Sequence, residues 1–376
     1  MYPRTICKIL FALSLLILPA LAGAQEDLSY VGSDACAECH ADAYEAWSGS
    51  HHAKAWTQAT PDNILADFAG SVFEHQDTVT RFREEDGTFI ASVTEGGTTT
   101  DRPVHSVVGI APLQQYLFET EPGTLQSFDV VWDVEQERWY HLYPDQILPP
   151  DDGLHWSGPY KNWNARCAEC HATGYTRNYD IRQRSYASVQ AEIGVGCEAC
   201  HGPASAHLNW VENGGTPPDD LDRYGFSMRF DAAATGAEQC AGCHARREAL
   251  SDGNPRPGTP FHDAYNLALL RPGLYHADGQ ILDEVYVYGS FLQSKMYARG
   301  VGCGDCHTPH SAELVADGNA VCTQCHSEAG NPAFPTLRRA AYDAFDHTRH
   351  ASGTDGAQCV SCHMIERDYM GIDGRR

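Results

Sequence analysis

The sequence predicts an α+β chain, mainly helical and loop-rich, with a small β-rich insertion in its N-terminal half. Three observations carry that expectation. A pentapeptide, Cys-x-x-Cys-His, recurs seven times, and six copies fall after residue 151 among short apolar segments cut by Gly and Pro. Their spacings are too uneven for a stacked repeat. Between the first and second copies, residues 62–150 lack the pentapeptide and take on the two-residue alternation of strands.

Four segments follow in order. Residues 1–24 read as a secretory signal peptide: Arg4 and Lys8, an apolar run over 9–18, then Ala22-Gly23-Ala24 as a small-residue cleavage site. The apolar stretch is shorter than the roughly 20 residues a spanning helix needs, so the expected mature chain starts at Gln25, without Cys7 and without a membrane span. Residues 25–61 hold the first pentapeptide, and 62–150 form the β-rich insertion. There, 78–83 and 88–93 flank the hairpin signal Glu85-Asp86-Gly87, and 125–133 and 138–143 make a second strand pair. Phe128, Trp132, Trp139 and Tyr140 are its expected core, and His75, His105 and His141 are read as packing or surface residues. Residues 151–376 carry the other six pentapeptides.

The pentapeptides pair Cys36 with Cys39, Cys167 with Cys170, Cys197 with Cys200, Cys240 with Cys243, Cys303 with Cys306, Cys322 with Cys325 and Cys359 with Cys362. Each pair is followed at once by a histidine: His40, His171, His201, His244, His307, His326 and His363. Two thiols one tight turn apart can both add to the vinyl groups of one porphyrin while the adjacent imidazole reaches its iron. Zinc ribbons and disulfide frameworks also use Cys-x-x-Cys. Ribbons need such pairs in twos, however, and neither alternative explains a histidine after every pair. The expected cofactors are therefore seven covalently attached haem c groups, with those histidines as proximal iron ligands. Attachment to thiols and a leader peptide both point to a periplasmic or secreted location.

Without the leader, 24 Lys plus Arg face 50 Asp plus Glu, a formal charge of −26. Nucleic acid is excluded as a ligand on that balance, and redox partner proteins with basic docking surfaces are favoured.

Nineteen histidines leave ample supply for the distal side of each iron. His52, with His51 as substitute, lies in a stretch suited to leaning on a porphyrin. His310 is three residues beyond His307, and three residues span at most about 10 Å, too little to pass around a macrocycle. If His310 is a ligand, it serves a neighbouring iron. A weaker form of the same argument applies to His207, six residues after His201.

Cys36 to His40 with Trp47, Ser50 and His52, Cys197 to Pro203 with His207, and Cys303 to His310 together resemble the cytochrome c-554-type group of bacterial multihaem cytochromes. The resemblance implies a mostly helical haem fold, bis-histidine ligation and periplasmic electron transfer, and it adds His155, His276, His347 and His350 to the distal candidates. One departure stands out. Relatives place Ser-x-His before a Gly-Val-x-Cys site, where this chain has Ser294-Lys295-Met296, so Met296 is either a replacement ligand or a gap filler beside a porphyrin. The group also includes oxidoreductases acting on small nitrogen or sulfur compounds at one open haem. That reading stands as the alternative to electron transfer, although no Cys-x-x-Cys-Lys is present.

Overall fold

The structure, a computed structural model, describes residues 28–283, 286–369 and 372–375; the expected signal peptide, 1–24, and Met370 lie outside them. Alternation between residues 57 and 141 builds nine strands: β1 (Thr57–Gln58), β2 (Ala69–His75), β3 (Thr78–Glu85), β4 (Thr88–Glu95), β5 (Thr98–Val108), β6 (Leu113–Glu121), β7 (Thr124–Ser127), β8 (Val130–Asp133) and β9 (Arg138–His141). They form one antiparallel sheet in the order β2-β3-β4-β5-β6-β8-β9, with β1 on β5 and β7 on β6. Asp86 and Gly87 join β3 to β4 with φ of 50° and 79°, the left-handed pair that a two-residue hairpin turn requires.

The two ends of this sheet meet. Trp139 on β9 stacks on Phe82 of β3 at 3.5 Å, and its indole N–H donates to Ser71 Oγ of β2 at 2.9 Å. Phe68, Phe82, Phe89, Tyr116, Phe128, Trp132 and Trp156 fill the interior. Phe68 alone meets Phe82, Phe89, Tyr116 and Trp139 edge-on at 5.2 to 5.6 Å. Each such pair adds about 0.5–1.5 kcal/mol beyond burial, so this core needs no cofactor to hold it.

The mainly helical expectation is thereby corrected: 23% of the chain is helix and 24% strand, and the nearly closed sheet dominates the N-terminal half. The cause lies in the pentapeptides. They form single turns, such as Ala168–His171, Cys197–His201 and Cys359–His363, bounded by bends rather than extended into long helices. Among the described residues the longest helices, Ser205–Asn213 and Ala233–Ala241, have 9 residues each. No helix among the described residues is long and apolar enough to cross a membrane.

A second cluster of Trp56, Leu117, Trp163, Ala168 and Tyr175 fastens the sheet to the second pentapeptide. A third, with Ala237, Ala241, Phe261, Tyr265 and Tyr288, surrounds the fourth. Beyond Tyr288, Ala357 is the sole buried hydrophobic side chain among the described residues, although three pentapeptides lie there. Polypeptide alone gives that region almost no core.

Limited proteolysis of chain made without haem attachment should therefore spare a fragment from about Trp56 to Trp156 while residues 300–369 are cut first. Mass mapping of the fragments checks this; equal resistance of both regions would contradict it.

Candidate haem sites

Within a pentapeptide, one turn puts positions i, i+3 and i+4 on the same side. The turn closes where the histidine N–H donates to the first cysteine's carbonyl, at 2.9 Å for His40 on Cys36, His244 on Cys240 and His326 on Cys322. Both sulfurs and the imidazole then share one face, as attachment of a single macrocycle demands.

Four of the seven histidines face a second imidazole from outside their own motif. His40 lies 6.2 Å from His207, His244 6.2 Å from His52, His201 6.4 Å from His310 and His363 6.1 Å from His347, centroid to centroid. A metal–imidazole bond is about 2.0 Å and the ring centre lies about 1.1 Å beyond the nitrogen, so two imidazoles on opposite faces of one haem iron stand about 6.2 Å apart. Directly stacked rings come closer: His75 and His141 are 4.1 Å apart. The four wider pairs have the gap that an iron between them would fill. Further, no three His, Cys, Asp or Glu side chains among the described residues gather to hold a metal unaided. The opposed pairs fit axial ligands to a planar macrocycle.

Hydrogen bonds aim several of these rings. His207 Nδ1 pairs with Tyr224 O at 2.8 Å and His52 Nδ1 with Pro309 O at 3.0 Å, leaving Nε2 to point at the partner ring. Burial, followed by His310 and His40, lowers the pKa of His201, favouring the neutral imidazole that a metal requires.

The other three motifs are set differently. His171 Nδ1 donates to Ala55 O at 2.9 Å, and its ring lies 5.0 Å from Trp163. His326 meets Tyr342 edge-on at 5.8 Å. His307 pairs with Leu314 through the backbone of a short strand, His307–Thr308.

The remaining distal candidates are not in opposed pairs. His155 is buried beside the sheet with both ring nitrogens engaged, Nδ1 with Ser157 Oγ at 2.7 Å and Nε2 with Glu95 Oε1 at 3.0 Å. His276 is half-buried in a turn closed by its own N–H on Gln280 O. The His350 ring packs over Gly356, and Met296 is 45% exposed at the start of the turn Tyr297–Arg299.

Sulfur contacts order the motifs in space. The sulfurs of Cys36 and Cys197 are neighbours, as are those of Cys170 and Cys243, Cys240 and Cys303, and Cys322 and Cys359. Cys200 is in electrostatic range of Cys240 and Cys243, and Cys306 of Cys325. The first motif thus adjoins the third, the third the fourth, the fourth both the second and the fifth, and the fifth to seventh follow in turn.

Two polar anchors had no signal in the sequence. Glu198, between the cysteines of the third motif, is 1% exposed. Its carboxylate accepts from the N–H groups of Val31 at 3.0 Å, Gly32 at 2.8 Å and Ala204 at 2.8 Å, clamping the segment before Cys36 onto this motif. Asn319 does the same for the last two motifs, accepting from Cys359 N–H at 2.8 Å and donating to Ala357 O at 2.9 Å.

The model of the family described as "Cytochrome c554 and c-prime" matches residues 35–84 and 156–202, and that of the "Doubled CXXCH motif" matches residues 296–331. Among solved structures, the crystal structure of Outer Cell Wall Cytochrome OcwA aligns with a TM-score of 0.61 at 17% identity, over 89% of this chain and 77% of the other. At that identity the likeness concerns the fold. No curated protein matches the chain.

Replacing Glu198 with Ala should leave three N–H groups without their acceptor, that of Ala204 buried and those of Val31 and Gly32 part-buried, at about 1–3 kcal/mol for each group that water cannot reach. Chemical unfolding of the Glu198→Ala protein should show a clear loss of stability, with Glu198→Gln losing less. An Ala variant as stable as the parent would mean the clamp is not formed.

Proposed function

The chain is a multihaem c-type cytochrome, and from that premise we propose that it carries electrons along a row of closely spaced haem c groups outside the cytoplasm. The four opposed imidazole pairs at 6.1 to 6.4 Å carry this reading. When bound, haem c supplies a one-electron couple between ferric and ferrous iron. The protein's part is to hold, orient and connect.

In this reading the seven cysteine pairs anchor seven haems, and His40, His171, His201, His244, His307, His326 and His363 bind from the proximal side. His207, His310, His52 and His347 would close the opposite face at the first, third, fourth and seventh sites. An iron with imidazole on both faces has no position for substrate and changes little in geometry with oxidation state, which suits transfer rather than chemistry. The sulfur contacts support a row that runs first, third, fourth, fifth, sixth, seventh, with the second site beside the fourth. Net acidity favours a basic partner, whose docking rate should fall as salt rises. Removal of residues 1–24 would leave the mature protein in the periplasm or secreted.

The intact secreted protein should weigh seven haems more than its polypeptide, with Gln25 first and no free thiol. Six or fewer after full maturation would refute the count.

His310→Ala should turn one iron high-spin while every haem stays attached, and the affected site should be the third, opposite His201, rather than the fifth beside His307. Magnetic circular dichroism or electron paramagnetic resonance reads the change. An unaltered spectrum would remove His310 from the ligand set.

A further inference from the structure

Arg247 follows the fourth motif on the strand Arg247–Ala249, yet its guanidinium reaches the second. Nε donates to the carbonyl of Gly242, between Cys240 and Cys243, at 2.8 Å. Nη2 lies 3.4 Å from Cys170 Sγ and 3.0 Å from Glu169 Oε1. The group stands 4.1 Å over the ring of Tyr265, and its side chain is only 9% exposed. The group is a buried cation wedged between two motifs.

We propose that Arg247 is a positioning residue that joins the second and fourth haem sites and raises the reduction potential at their junction. The inference rests on the proposed attachment of haem to Cys167 and Cys170 and to Cys240 and Cys243. A thioether sulfur at Cys170 would be two bonds from the porphyrin ring, so the guanidinium 3.4 Å from that sulfur would lie close to the cofactor's edge. Reduction adds an electron, and a nearby positive charge stabilises the product. Water would screen this effect at the surface, but burial preserves it. Glu169 opposes it through its negative charge, yet the cation makes the sulfur and Gly242 contacts and the carboxylate has neither. The planar fork matters as well: Nε and Nη2 serve two motifs at once, which an ammonium point charge cannot do.

The test is a spectroelectrochemical titration of the full-length secreted holoprotein beside Arg247→Gln, Arg247→Lys and Glu169→Gln, with haems counted by mass in each. Arg247→Gln should move at least one midpoint component down, Glu169→Gln should move one up, and Arg247→Lys should stay closer to the parent than Gln does. Unchanged titrations at full haem content would overturn the proposal, as would shifts of the same sign in the Gln variants at 247 and 169. Should Arg247→Gln fail to mature, Glu169→Gln decides, and the lack of an upward shift overturns it. Parent protein without haem at either cysteine pair would instead overturn the attachment reading beneath it.

Discussion

The constraint on which the rest depends is the opposition of two imidazoles across a gap of about 6 Å. Imidazoles in direct face-to-face contact stand closer, at 4.1 Å for His75 and His141, whereas these four pairs keep the wider gap that an iron between them would fill. Three of the pairs also tie together segments far apart in sequence. His52 and His244 connect the N-terminal segment to the fourth motif, and His201 and His310 connect the third to the region after the fifth. With iron between them as proposed, the pairs would act as cross-links in a region with few apolar residues to hold it together.

That role divides the protein by the origin of its stability. The sheet from β1 to β9 owns an aromatic core around Phe68, Phe82 and Trp139 and can cohere through side chains alone. Past Tyr288 the described chain buries almost nothing apolar, and its motifs are held by turns and polar staples such as Asn319. Large planar cofactors bound there would supply the missing interior. Trp56 and Trp163 join the sheet to the second motif, so a half that coheres without cofactor supports that site.

Polar anchors then set how neighbouring motifs meet. Glu198 takes three backbone N–H groups around the first and third sites, while Arg247 spans the second and fourth. Both sit within or just after a pentapeptide, so a residue that fixes one attachment site also fixes its distance from the next. Electron transfer falls steeply with distance, and buried anchors are suited to keeping such a spacing.

What the sequence by itself determined was local. Two cysteines and a histidine within five residues state their chemistry without reference to the rest of the chain, and Asp86-Gly87 between alternating segments is enough to announce a hairpin. The reach of three residues sufficed to argue that His310 could not serve the iron next to His307. Tertiary structure decided everything that joins remote positions: that His310 faces His201, that His207 faces His40, and that His155 lies with Glu95 and Ser157 rather than in an opposed pair. It also decided the extent of the sheet, because Trp139 meeting Ser71 and Phe82 joins strands whose pairing no local pattern encodes. Spacing specifies which groups share one turn; which turns come together depends on packing and on burial of charges such as Glu198 and Arg247, and those are properties of the folded whole.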